Sequence, residues 1–201
     1  MYDDFAKASD DLLRNLIDKP ELVDAWKRLS DCSASEAVRR NPGVLEALNA
    51  PKGSRPNPRT YLGEDYVNNH LKEFRDEGKC SRIVAKSDYE TWGVGKPDVG
   101  KTEFVSKSSD VDILLKRCGN NKACLSEVLG IQEYVLSGGL VRIDFDLKKS
   151  ANALEFPSGN EFGVNDQWLP GGKLPTGQKE AIIKTEGMNI NVDYSVNDIK
   201  F

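Results

Sequence analysis

The stretch from Leu140 to Lys184 constrains this chain more than any other. Two short β-type runs, Val141 to Phe145 and Glu180 to Lys184, flank about thirty residues dense in Gly, Pro, Asn and Ser. Such a connection is too long and too rich in turn formers for a hairpin. Ordered loops of this composition hold polar groups in place, because glycine reaches positive φ and Asn or Ser bonds the local backbone. Ser158, Asn160, Glu161, Asn165 and Trp168 stand inside it. A decorated surface loop is the plainer alternative. In the first run Val141, Ile143 and Phe145 alternate with Arg142 and Asp144, so one face is apolar and the other carries a fixed cation and a fixed anion.

The rest of the 201-residue chain is organised around that stretch. Its hydrophobic content of 38% and charged content of 30% describe a globular protein, and no apolar run approaches the roughly 18 residues of a membrane span. The acidic start MYDDFAKASDD does not read as a signal peptide. A net charge of −4 argues against a broad electrostatic footprint for nucleic acid. Cys32, Cys80, Cys118 and Cys124 are not paired at zinc-ligand spacing, and no metal is expected. Buried free thiols are the expectation for them, with a Cys118–Cys124 disulfide the alternative in an oxidising compartment.

Residues 1–50 read as a helical spacer. Leu12, Leu13, Leu16 and Ile17 form one apolar stripe and Leu22, Val23, Trp26 and Leu29 a second, while Ser33 with Glu36 and Asn41 before Pro42 are helix-start signals. Residues 51–60, APKGSRPNPRT with its flanking alanine, form a Pro-rich linker that sustains neither helix nor interior strand. The domain proper then runs over 61–201. Its pattern predicts a helix from about Gly63 to Glu77 with Tyr66, Val67, His70, Leu71 and Phe74 on one face. Short strands follow at Ser81–Ala85 and Glu103–Ser106, with a turn-rich Tyr89–Gly100 between them. Ser108 and Ser109 cap a helix through Leu115, another helix covers Lys122–Leu129, and a closing strand is expected near Met188–Tyr194. The fold class is therefore α+β with a small, mostly antiparallel sheet.

A sequence order now comes into view: LVDAWKRL, the Pro-rich joint, IDF, FPSGNEFGVNDQWLPGG and TGQKEAII. This order resembles the C-terminal toxin domains of bacterial polymorphic toxins, the modular effectors of interbacterial competition. Within those toxins, GQKEAII is similar to the glutamine-x-glutamate strand of ADP-ribosyltransferases, and the wider order also looks like NAD-glycohydrolase toxins. The resemblance implies an ADP-ribosyltransferase-like fold, NAD as substrate, a cognate immunity protein as partner and an unidentified cellular target. It also implies delivery by a larger effector into the cytoplasm of a target cell.

Cleavage of the nicotinamide–ribose bond passes through an oxocarbenium-like sugar, so a carboxylate beside the ribose stabilises the charge that develops. Glu180 is the candidate. Gln178 shares its strand face and is placed to orient a nucleophile, and Arg142 suits a bidentate grip on pyrophosphate. Ser158, Asn160, Glu161 and Asn165 would line the pocket, with Trp168 as a flat surface for a base. The 38 residues between Arg142 and Glu180 are few for that family, and no Ser-Thr-Ser element is present, so an earlier first strand near Glu103–Ser106 stays open. Two other functions compete. One is a metal-independent nuclease toxin using His70 as general acid or base with Lys101, Lys107 or Arg142 on the phosphate. The other is a non-catalytic interaction module.

Overall fold

The computed structural model describes residues 41–95, 101–119, 121–129, 138–150, 153–164, 168–174 and 177–200. The apolar stripes before residue 30, the Ser33–Glu36 signal and Asn165 lie outside the described residues. In chain order the elements are α1 (Pro42–Asn49), α2 (Pro58–Leu62), α3 (Glu64–Glu77), β1 (Lys79–Ala85), α4 (Lys86–Trp92), β2 (Thr102–Lys107), α5 (Ser108–Cys118) and α6 (Lys122–Leu129). There follow β3 (Leu140–Asp146), α7 (Leu147–Ser150), β4 (Leu154–Glu155), β5 (Glu180–Lys184) and β6 (Tyr194–Ile199). The six strands form one sheet in the order β4-β5-β2-β1-β3-β6, and every neighbouring pair is antiparallel. The chain is thus an α+β protein.

Local chemistry sets the helix ends. Asn41 caps α1 by accepting from the Gly43 N–H at 2.9 Å, with Pro42 at the first helical position, where its missing N–H costs nothing. Helix α3 stops at Gly78, whose φ of 75° is left-handed and whose N–H closes onto the Phe74 and Arg75 carbonyls. Its buried stripe of Val67, His70, Leu71 and Phe74 lies along one side.

Register assigns the two sheet faces, because directly opposed residues of neighbouring strands point the same way. Val105 opposes Ala181, Glu103 opposes Ile183, and Cys80 opposes Phe145, so these lie on the face covered by Val67, Leu71 and Phe74 of α3. The other face carries Ile83 and Leu140 beneath Val111, Leu114 and Cys118 of α5 and Leu125 and Val128 of α6. The α5–α6 hairpin is closed by a disulfide between Cys118 and Cys124, the alternative to the free thiols expected there, whereas Cys80 is free and buried. A short hairpin brings these two sulfurs together whatever the rest of the chain does.

Several elements differ from the sequence expectation. Lys86–Trp92 is a helix rather than turns. It is about two turns long with no buried residue and no side-chain cap, so neither periodicity nor capping advertises it. Helix α5 begins without a serine cap, since Ser109 donates through its N–H and Oγ to Glu77 instead. The closing strand is Tyr194–Ile199, later than expected, and it pairs with all of β3 from Leu140 to Phe145.

Phe74 is fully buried between α3 and the sheet. Phe74→Ala is expected to cost about 3–5 kcal/mol through lost transfer energy and the cavity left behind. Urea unfolding measures this, and a loss below about 1 kcal/mol would contradict the core assigned to this face.

Candidate functional site

The ladder between β1 and β2 joins Cys80 to Lys107 and Ser81 to Ser106, while β1 pairs with β3 all the way from Lys79 to Ala85. Beyond Ser81 the first ladder stops and a cleft of about 300 Å³ opens, lined by β1 and β2 together. Arg82, Glu103, Ser106 and Glu180 line it from the sheet, and Phe162 and Trp168 from the long loop. Backbone groups released from a ladder need water or a ligand as partner, so a split in a sheet is a natural binding place.

Glu180 opens β5. Its N–H donates to the Gly172 carbonyl at 2.8 Å, and its own carbonyl accepts from His70 Nε2 at 2.8 Å. A carbonyl only accepts, so Nε2 carries the hydrogen, and burial, which lowers the His70 pKa to about 4, keeps the ring neutral near pH 7. Gly172 is required at φ 65°, because a Cβ there would meet His70 Cε1 and the Phe156 ring at 2.9 Å. The carboxyl of Glu180 is half-buried, and burial pushes its pKa up to about 7, with nearby Glu161 adding to the rise and Arg82 opposing it.

Arg82 forms an ion pair with Glu103 across the split. Burial lowers the guanidinium pKa to about 10 against the attraction of Asp88 and Glu180. Glu103 is itself buried, and its Oε1 accepts from the Gly95 N–H at 2.8 Å. One cation therefore faces three carboxylates, those of Glu103, Asp88 and Glu180. Alongside runs a row of opposed residues, Glu180, Ser106, Ser81 and Asp144, crossing four strands on one face. Ser81 Oγ donates to Asp144 at 2.5 Å and accepts from Ser108 Oγ at 2.6 Å.

The sequence candidates separate in the structure. Trp168 and Glu180 both line the cleft. Glu161 approaches electrostatically but spends its carboxylate on its own loop, accepting from Ser158 N and Oγ and from Gly159 N, each at 2.8 Å. Ser158 is therefore a loop-forming residue rather than a pocket one. Asn160 is a latch: its Oδ1 accepts from Gly53 N at 2.8 Å and Arg55 N at 3.0 Å, and its Nδ2 donates to the Arg55 carbonyl at 3.0 Å. The Pro-rich joint is held against the loop by these bonds, and α1 packs there too, through Val44 on Leu169. Gln178 does not line the cleft, and its carbonyl accepts from Leu174 N at 2.9 Å.

Arg142 is not the cleft's arginine. Its Nε donates to Asp144 at 2.7 Å, a second nitrogen pairs with Asp112, and its Nη2 reaches Ser81 Oγ at 3.2 Å. Burial works against its charge, but the bonds to Asp112 and Asp144 override this and hold its pKa up. Arg82 is the residue that sequence reasoning passed over. Lys107 faces Glu77 and Glu73, and Lys101 faces Glu186 at 3.3 Å. His70 is packed among Phe74, Phe156 and Tyr66, and burial lowers its pKa to about 4. A nuclease mechanism through His70 thus lacks an accessible imidazole.

Trp168 lines the cleft and is also packed into the loop beneath it. Its ring lines the cleft, yet only 7% of the residue is exposed and Arg55 stacks on it with 4.2 Å between guanidinium carbon and ring centroid. Gly159 is obligatory above it, since a Cβ would fall 2.6 Å from the indole. Among the described residues the buried indole N–H has no hydrogen-bond partner.

Among the described residues, no group of three or more His, Cys, Asp or Glu is disposed to hold a metal ion, and no helix is long and apolar enough to cross a membrane. The fold and cleft define the class: an antiparallel α+β protein with a carboxylate-lined split in its sheet. No protein-family model matches the chain, and comparison with curated proteins finds no relative.

The two perturbed groups that meet at the start of β5 have opposite linkage to folding. His70, lowered from 6.5 to about 4, gives stability that is complete above pH 6.5 and lost as pH falls toward 4. Glu180, raised from 4.5 to about 7, gives stability that is complete below pH 4.5 and lost as pH rises toward 7. Glu180→Gln removes the second effect alone. The variant's stability minus that of the wild type is expected to grow between those pH values by on the order of 3 kcal/mol, read from urea unfolding at both ends. A difference that stays constant with pH would show that the carboxyl is not held neutral in the fold.

Proposed function

We propose that this chain is an NAD-consuming toxin domain of the bacterial polymorphic class, cleaving the nicotinamide–ribose bond to hydrolyse NAD or to transfer ADP-ribose. The observation that carries the reading is Glu180 in the split of the sheet, in a cleft that Trp168 also lines and with a pKa brought to about 7 by burial. The toxin assignment itself rests on the order of sequence motifs ending in GQKEAII.

In the reaction, nicotinamide departs with the electron pair of its bond to C1′, leaving positive charge spread over C1′ and the ring oxygen. The Glu180 carboxylate lies against that charge in a cleft where field screening is weak, so its attraction exceeds what it would be in water. A water oxygen, or an acceptor atom of a target, then bonds to C1′ and loses a proton. A carboxylate with its pKa near 7 takes that proton and returns it to solvent. Hydrolysis yields ADP-ribose, nicotinamide and one proton, with no oxidant or reductant involved. The acidic surroundings, with three carboxylates around one arginine, suit a cationic nicotinamide ring better than a polyanionic strand of nucleic acid. A cognate immunity protein would act by covering the split, and a larger effector would deliver the domain.

Because the ionised carboxylate is the active form, kcat/KM for NAD is expected to rise with pH through about 7 and level off above it. Glu180→Gln is nearly isosteric and should lower nicotinamide release about 100- to 1,000-fold while the circular dichroism spectrum is unchanged. Nicotinamide measured by chromatography decides the matter. Equal release from the two proteins, or none from the wild type even with bacterial lysate added, overturns the reading.

A further inference from the structure

The Glu180 carboxyl lines the cleft and makes no hydrogen bond or ion pair among the described residues, although its backbone N–H and C=O are both bonded. The charged groups around it are engaged with one another instead. Arg82 of β1 is taken by Glu103 of β2, Glu161 by its own Ser158–Gly159 turn, and Asp144 of β3 by Arg142. Lys107 of β2 and Lys179 beside Glu180 both face Glu73 of α3. Asp110 of α5 accepts from the Lys179 N–H at 3.4 Å, and Lys173 opposes Lys179 in an isolated bridge. His70, behind the strand, is uncharged.

A carboxyl without a counter-ion can do what a salt-bridged one cannot. Val111 of α5, Leu129 of α6, Val164 and Leu174 wall the same cleft with hydrocarbon, and among such walls a carboxyl keeps its proton to a higher pH than in water. An acid that still holds its proton near neutrality gives it to a leaving group. Nicotinamide has no use for that proton, because it departs from a pyridinium as a neutral molecule. A purine attached to ribose does need it, since the base otherwise leaves as an anion. The space matches: about 300 Å³ lies at the lower end of small-molecule sites, room for one base with one ribose. Phe162 stands at the rim, 64% exposed with the Lys52 ammonium 5.6 Å from its centroid, and an aromatic ring there accepts a stacked base.

We propose that the cleft also hydrolyses neutral nucleosides, with the Glu180 carboxyl as the general acid that protonates the departing base. The acid passes its proton to a ring nitrogen of the base as the C1′–N bond breaks, and the base leaves neutral with the electron pair of that bond. Positive charge remains on C1′ and the ring oxygen, beside the carboxylate just formed. A water oxygen then bonds to C1′ and yields one proton to that carboxylate, which restores the acid. Nucleoside and water become ribose and free base, with no oxidant or reductant involved. The inference goes beyond the NAD-cleaving reading and shares with it only a ribose C1′ placed beside Glu180. Protonation sorts the two substrates: the ionised carboxylate serves a leaving group that carries its own positive charge, and the neutral acid serves one that does not.

The test follows hypoxanthine release from inosine by the whole protein, beside nicotinamide release from NAD and nitrophenolate release from 4-nitrophenyl riboside, whose leaving group needs no proton. For inosine, kcat/KM is expected to be level below about 7 and to fall about tenfold per pH unit above it, while the nitrophenyl riboside follows the opposite course. Glu180→Gln should lower inosine hydrolysis about 100- to 10,000-fold, the range of a lost general acid, and remove both pH dependences. The opposed profiles belong to the wild type, so they decide the matter even where the variant misfolds. No hypoxanthine at any pH between about 5 and 9, or an inosine rate that rises through about 7, overturns the inference. Nicotinamide release without inosine cleavage overturns it and leaves the NAD reading standing. Inosine cleavage without nicotinamide release upholds it and defeats that reading.

Discussion

The ion pair of Arg82 and Glu103 lies where two central strands stop pairing, and the rest of the site depends on it. Desolvating two charges costs several kcal/mol each, and a well-packed apolar pair in their place would often be more stable. The pair is tolerated because the same sheet face is otherwise a dry core, with Ala181, Ile183, Val105, Val141 and Ile143 packed under α3. Its effect is geometric. The pair bridges β1 and β2 where their ladder has ended, so it spans the opening from one strand to the other. Removing one partner would leave a buried charge uncompensated, which is costlier than losing the pair.

Rigidity around the opening comes from bonds that look incidental one by one. His70 ties the first residue of β5 to α3, so the backbone carrying Glu180 cannot drift from the core. Gly172 lets the loop pass close to that imidazole, and Glu161 folds the Ser158–Gly159 turn around its own carboxylate. Asn160 then fastens the loop to residues 53 and 55, and Arg55 covers Trp168. The helical entrance and the Pro-rich joint thus belong to the scaffold of the opening. A truncation beginning after the joint would uncover Trp168 and release Asn160.

Much of this was legible from residue order. The alternation of Val141, Ile143 and Phe145, the stripe on α3 and the Asn41–Pro42 start all appear where periodicity and capping put them. The choice of arginine did not follow from such rules, although a signal existed. Arg142 has Asp144 two residues on, hence on the same strand face, and an acid there is a counter-ion already in hand. Arg82 has Cys80 and Val84 at the corresponding positions, so it must find its partner on another strand. A strand arginine lacking a same-face acid is the better site candidate. Helix α4 was hidden because seven residues with no buried side chain carry no periodic pattern. Asn160 and Ser158 read as pocket residues because side-chain-to-backbone bonding within a loop, and bonding to a segment a hundred residues away, have the same composition.

Burial gives this site its chemistry and sets its cost. A carboxyl with a pKa of about 7 is one whose charged form the fold disfavours at the pH where it is needed. Folding therefore gives up stability above that pH, and a substrate that brings positive charge to the cleft restores it, since the attraction exists only in the complex. The same reasoning explains why a neutral His70 sits behind Glu180 rather than a cation. A charged imidazole bonded to that backbone would pull the carboxyl pKa down into the ordinary range, where it would no longer accept a proton from an attacking water. The apolar rings of Phe74 and Phe156 against His70 keep it uncharged. Core packing on one side of the sheet thereby sets the proton affinity of the group on the other.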